Sequence, residues 1–206
     1  MKISLTNAGK RFNREWIFRN FSFSFQSGTS YAITGPNGSG KSTLLQAIAG
    51  SLELSEGSLS YEDKNQQPLD PNLIHEQLAY VAPYLEVIEE LNPVELLDFH
   101  REFKPLFPGM DAKSALQEVG LLPHAQKQIR YFSSGMKQRI KLAQAFFSDV
   151  PVLLLDEPCT NLDADGIALY HRLIGTYTRN RILVISSNDT QESGFCQEQL
   201  SILRFK

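Results

Sequence analysis

The sequence predicts an α/β fold with a helical insert in the middle of the chain, and three observations carry that prediction. Two continuous apolar runs, Pro151 to Leu155 and Arg181 to Ser186, have the length and composition of strands buried on both faces of a parallel sheet. A glycine-rich turn near residue 35 stands between a strand-like run and a helical one. From about Tyr84 to Gln128 the apolar residues recur at helical spacing, with breaks at Pro105, Pro108-Gly109 and Pro123. Strands and helices that alternate along a chain pack as helices against a sheet.

In chain order, Lys2 to Thr6 alternates like a strand. Phe21-Ser22-Phe23-Ser24-Phe25 alternates too, so its phenylalanines share one face and read as core packing. Ser30 to Thr34 is a third strand, and Ser42 to Ala49 is a helix ended by Gly50. Gly57 to Tyr61 reads as a strand, Glu62 to Asp70 as a polar loop, and Leu78 to Ala82 as a short apolar strand. Glu89, Glu90 and Glu95 read as a solvated helix face, and a later helix covers roughly Asp165 to Thr178.

Composition narrows the function classes. The 206 residues suit one domain with a single well-buried core. Lys plus Arg number 20 and Asp plus Glu 23, a formal net charge of −3, which argues against a polybasic nucleic-acid surface. No apolar run approaches the roughly 18 residues of a membrane span, and the first residues lack the apolar stretch of a signal peptide. Cys159 and Cys196 form neither a disulfide framework nor a metal-ligand spacing, and His75, His100, His124 and His171 show no ligand spacing either. A cytoplasmic protein is expected.

Gly35-Pro36-Asn37-Gly38-Ser39-Gly40-Lys41-Ser42 matches the phosphate-loop pattern G-x-x-x-x-G-K-[ST] at every fixed position. A strand precedes it and a helix follows from Thr43, which is the setting the chemistry needs. Backbone N–H groups turn inward around a polyphosphate, and the helix N-terminus adds partial positive charge. Lys41 is placed to neutralise the β- and γ-phosphates, and the Ser42 hydroxyl to ligate Mg²⁺. Val152 to Leu155 is followed by two carboxylates. Asp156, at the strand end, suits a metal held through water; Glu157, one residue on, suits polarising an attacking water.

With these motifs the chain resembles the ATP-binding subunit of an ATP-binding-cassette (ABC) transporter. Phe132-Ser133-Ser134-Gly135-Met136-Lys137-Gln138-Arg139 is similar to the family signature Leu-Ser-Gly-Gly-Gln and the basic helix after it, with Ser134 and Met136 departing from it. Ser133 supplies a hydroxyl, Gly135 permits close backbone approach, and the helix start faces a phosphate. Thr160-Asn161-Leu162-Asp163 resembles the D-loop, and Phe12 the adenine-stacking aromatic, with Trp16 as its rival. The resemblance implies a RecA-like P-loop NTPase core, an antiparallel β subdomain near the N-terminus, and a helical subdomain at about residues 84–145 inserted between core segments 1–83 and 146–206. It also implies ATP and Mg²⁺ as cofactors and a head-to-tail homodimer or heterodimer with another ABC subunit. A separate integral membrane subunit would then be driven by closure on ATP, with this chain peripheral on the inner face of the membrane. Tyr84, Leu85 and Val87 are candidate contacts for that subunit.

Two positions depart from the family pattern at the γ-phosphate. The switch histidine's place, after Ile182 to Ser187, holds Asn188, which can donate a hydrogen bond but carries no proton-linked charge. The Q-loop glutamine's place, after Leu78 to Ala82, holds Pro83 and then Tyr84, while Gln77 precedes the strand. Losing one positioning group costs roughly ten- to a thousandfold in rate, so turnover slower than a consensus cassette is expected. A soluble ABC-type ATPase and a weakly hydrolysing ATP-dependent switch stand as alternative functions; a metabolic kinase on the same loop fails on the signature and D-loop segments.

Overall fold

In the computed structural model, which describes residues 1–206, β1 (Lys2–Phe12) turns at Asn13-Arg14 into β2 (Glu15–Gln26), and the two pair antiparallel. Both are longer than the alternation predicted. The register shifts between Leu5 and Ala8 and again near Lys10, and Asn7 and Asn20 take positive φ. Such bulges break the two-residue period by which a strand is read. β4 (Glu56–Glu62) adds on the other side of β1, making an antiparallel sheet in the order β2-β1-β4.

The second sheet is parallel throughout. Its strands are β3 (Ser30–Thr34), β5 (Leu78–Val81), β6 (Val152–Asp156), β7 (Ile182–Ser186) and β8 (Glu198–Ser201), in the order β5-β6-β7-β3-β8. β6 and β7 are buried along their whole length, as their uninterrupted apolar sequences require. Alternate residues of β6 enter different cores. Val152 and Leu154 join Tyr31, Ile33, Leu44 and the phenylalanines of β2 on the side of α1 (Lys41–Ile48). Leu153 and Leu155 join the helices of the other face. Phe23 and Phe25 meet each other and Tyr31 edge to face, and Phe21 meets Phe23 at a tilt, so their shared face is core.

Between β5 and β6 lie α2 (Pro93–Arg101), α3 (Ala112–Glu118) and α4 (Ser134–Phe147), with short 3₁₀ turns at Leu122–His124 and Ile129–Tyr131. Helical spacing was expected from Tyr84, but the helix begins at Pro93. Asn92 and Glu95 form a reciprocal capping box there. The residues before it are tied down instead: Ile129 and Arg130 donate backbone bonds to the carbonyls of Leu91 and Glu89. Glu89 and Glu90 therefore stand outside any helix, Glu89 paired with Lys137 and Glu90 with Arg130. α5 (Ala164–Tyr177) follows β6, and the short α6 (Thr190–Ser193) follows β7. No helix is long and apolar enough to cross a membrane.

Candidate active site

β6, β7 and β3 are neighbours in the sheet, so their carboxyl ends open side by side. Ligands of open α/β sheets bind at that edge. The loop Gly35–Gly40 leaves β3 there, Asp156 closes β6, and Asn188 lies two residues beyond β7. The P-loop residues Gly35, Pro36, Asn37, Gly38, Ser39, Gly40, Lys41, Ser42 and Thr43 are thus brought together with Asp156, Glu157 and Asn188. Lys41 curls over its own loop, donating to the carbonyls of Gly35 at 2.8 Å and Pro36 at 3.3 Å. Gly40 precedes α1 at φ +99° against β2, where an added Cβ would come within 2.3 Å of Ile17 Cγ2. Left-handed backbone and a close approach together require glycine. No acidic residue occupies the first turn of α1, so its positive end is left to a ligand.

Three side-chain oxygens in the protein interior lack a hydrogen-bond partner: Ser39 Oγ, Asp156 Oδ1 and Ser186 Oγ. Asp156 and Ser186 are paired across β6 and β7, and Asp156 is only 2% exposed. An unpaired buried carboxylate oxygen is costly without a cation or donor. With Ser42 on the adjoining helix it makes a hard-oxygen donor set that fits Mg²⁺. Glu157 sits at φ +43°, an unfavourable value for glutamate, held by a 2.9 Å bond from its N–H to the Ser186 carbonyl.

Asn188 does not stand free. Its Oδ1 accepts from Gly35 N at 3.1 Å, and its Nδ2 donates to Asn37 Oδ1 at 3.4 Å. Pro83 lies two residues beyond β5 and offers only its carbonyl, which accepts from Lys141 Nζ at 3.3 Å. Gln77 lies in a 3₁₀ turn at the opposite end of that strand.

Ser133 and Gly135 are not at this site. They border a separate cavity of about 410 Å³ with Gly120, His124, Arg139 and Asn161. Ser133 caps α4, accepting from Met136 N, and a Cβ on Gly135 would meet the Asn161 carbonyl at 3.0 Å. Asp163 caps α5 and pairs with Arg139 at 3.2 Å. The Gly166 N–H, and then Arg139, hold the Asp163 carboxyl below its usual range.

Phe12 and Trp16 fall on opposite faces of the β1–β2 ribbon. Phe12 pairs with Glu15, and so shares a face with Ile17, the residue that touches the P-loop. Phe12 is 48% exposed. Trp16 pairs with Arg11 and carries the Arg19 guanidinium over its ring at 4.5 Å.

A family model for the ABC transporter matches residues 18–160 of the chain. The chain belongs to the ABC transporter family. ATP binding and P-loop hydrolysis come with membership as its ATP-binding subunit. Over 155 residues the chain is 34% identical to the cytochrome c biogenesis ATP-binding export protein CcmA of Xylella fastidiosa, covering 75% of this chain and 71% of that one. An uncharacterised ABC transporter ATP-binding protein of Bacillus subtilis is 29% identical over 92% of this chain and 87% of its own. A putative ABC transporter ATP-binding protein of Pyrococcus furiosus superposes over all of both chains with a TM-score of 0.84 at 19% identity, a likeness of fold. The fold is the RecA-like P-loop core of ABC ATPases with an added antiparallel sheet.

Other residues that hold the site were not legible as such. Glu192, 5% exposed, accepts from Cys159 N at 2.6 Å and so ties α6 to the turn after Glu157. Burial raises the pKa of its carboxyl. Gln138 donates to the Pro158 carbonyl at 2.6 Å, joining α4 to the same turn. A buried glutamine in the apolar stripe of α4 was the one sequence signal available.

Proposed function

We propose that this chain is the Mg²⁺-dependent ATPase of a membrane transporter. It would work as a head-to-tail dimer, with itself or with another ABC subunit, at the cytoplasmic face of an integral membrane partner. The observation that carries the reading is the meeting of Lys41, after β3, Asp156 and Glu157, at the end of β6, and Asn188, after β7, at one edge of the sheet beside partnerless buried oxygens.

In this reading Lys41 exchanges its bonds to the loop carbonyls for phosphate oxygens. Ser42 and Asp156 hold Mg²⁺, which supplies Lewis-acid screening of the phosphate charge. Glu157 accepts the proton of the attacking water. Asn188 replaces the histidine as a neutral donor, with one Nδ2 proton on Asn37 and the second left for a phosphate oxygen. Phe12 stacks on adenine. Ser133 and Gly135 line a cavity that no P-loop residue borders, which supports their acting on ATP held by the second subunit. The unit 84–145 carries them and moves with nucleotide state. The named export function of the Xylella relative supports an exporter.

A weakly hydrolysing switch is the second reading, and Asn188 and Pro83 favour it. Steady-state Mg·ATP hydrolysis by the unmodified chain and by Glu157→Gln, with molecular mass followed, separates the two. Turnover lost in the variant while ATP-dependent dimers accumulate supports the ATPase. Dimers without turnover in the unmodified chain support the switch.

A further inference from the structure

The glutamine that should follow β5 is missing, yet the space beside Asp156 on that side contains two phenols. Tyr80 lies on β5 opposite Leu154 of β6, and Asp156 is two residues beyond Leu154 on the same face. Tyr80 packs among the residues on the α1 side of the sheet. Its hydroxyl is 2.5 Å from that of Tyr84, which lies in the loop after Pro83, and Gln46 Nε2 donates to Tyr84 Oη at 2.9 Å. Gln46 is four residues after Ser42 on α1, hence on the same helix face as the proposed metal ligand. The chain Gln46–Tyr84–Tyr80 therefore runs from the P-loop helix to the strand end beside Asp156.

Counting protons shows what the pair has left. Tyr84 accepts from Gln46, and one hydroxyl donates to the other, so one O–H remains uncommitted whichever way the bond runs. Burial, then Tyr84, then the Asp156 carboxylate raise the Tyr80 pKa well above that of an ordinary phenol. It stays a neutral donor at any physiological pH. Asp156 Oδ1, without a protein partner, lies on the neighbouring strand.

We propose that the Tyr80–Tyr84 hydroxyl pair, anchored by Gln46, is the positioning element at the metal–phosphate edge of this site, in the place the absent glutamine leaves. The uncommitted O–H donates to the oxygen shell around Asp156 and the γ-phosphate. Tyr84 carries that contact onto the loop that exposes Leu85 and Ile88, so the state of the site reaches the surface through one hydroxyl. The inference rests on the ATPase reading above.

The test uses the full chain and its Tyr80→Phe and Tyr84→Phe variants, with Lys41→Ala as the inactive reference. Phenylalanine keeps the packing and removes only the hydroxyl. Each Phe variant is expected to lower kcat about tenfold and to raise the half-saturating free Mg²⁺ about fivefold, as loss of one hydrogen bond to a charged site would. Affinity for a fluorescent ATP analogue without metal stays unchanged. Rate and Mg²⁺ dependence both within twofold of the unmodified chain would overturn the proposal. So would a loss of rate with unaltered Mg²⁺ dependence and a lower melting midpoint, which marks a packing role. An unmodified chain no faster than Lys41→Ala removes the ATPase reading itself, and the proposal with it, before any tyrosine is changed.

Discussion

Single side chains decide how tightly and how fast this site works. Phe12 presents half its surface on the P-loop face of the ribbon, while the ring of Trp16 is covered by Arg19. Phe12→Ala is therefore expected to weaken ATP binding roughly tenfold or more, in line with one lost base–aromatic stack, and Trp16→Ala to leave it within twofold; equilibrium titration with ATP checks both. Asn188 is harder to read from sequence because its amide does two things at once. It braces Gly35 and Asn37, and it stands where a proton-carrying side chain is usual. Asn188→Ala should loosen the loop and raise KM for ATP. Asn188→His should raise kcat several-fold at neutral pH, and a histidine variant slower than the unmodified chain would show that the brace matters more than the donor.

At the scale of elements, α2 and α4 are joined by His100. Its Nε2 lies 2.8 Å from Ser148 Oγ, just past the end of α4, and its Nδ1 3.5 Å from Gln144 Nε2. Burial, and then the nearby Lys104 charge, push its pKa down to about 4. The unfolded chain, with an ordinary histidine near 6.5, thus binds more protons between those values, and stability falls as pH drops from about 6.5 to 4. Melting midpoints measured across that window should fall less steeply for His100→Gln than for the unmodified chain; parallel curves would show that His100 is not the titrating group. Arg181 stitches the same helix end to β7, donating to the carbonyls of Ala145 and Ser148 and stacking at 4.6 Å on Phe107. Arg181→Met would take the Arg181 donor from the Ala145 carbonyl and leave the Ser148 carbonyl with the Val150 N–H alone, and should cost about 1–3 kcal/mol in denaturant unfolding.

At the scale of the whole molecule, the signature-like residues Ser133 to Gly135 line a cavity that no P-loop residue borders. In the head-to-tail dimer proposed above, the P-loop of one subunit meets the signature-like segment of the other across the interface. A Gly135→Asp subunit should bind ATP normally and hydrolyse none, while Lys41→Ala should lose binding. Mixing the two should restore turnover, because the mixed dimer contains one site with an intact loop from one subunit and an intact signature from the other. Hydrolysis by Gly135→Asp alone, or no rescue on mixing, would refute the composite site.

The P-loop, the Asp156-Glu157 pair and the alternating phenylalanines were legible in the sequence because each is a local pattern: fixed glycine spacing, a strand ending in carboxylates, a two-residue period. The family followed from the first two together with the signature-like Phe132 to Arg139 and the D-loop-like Thr160 to Asp163, and against that family the two departures, Asn188 and Pro83, stood out. What the sequence could not disclose depends on which strands become neighbours. Tyr80 acquires significance only because β5 lies beside β6, and Glu192 only because the chain after β7 folds back over the turn after β6. The bulged halves of β1 and β2, and the non-helical stretch before Pro93, likewise answer to partners far along the chain. Periodicity records which face of an element is buried; only the tertiary structure decides what it is buried against, because those contacts join residues that no local pattern connects.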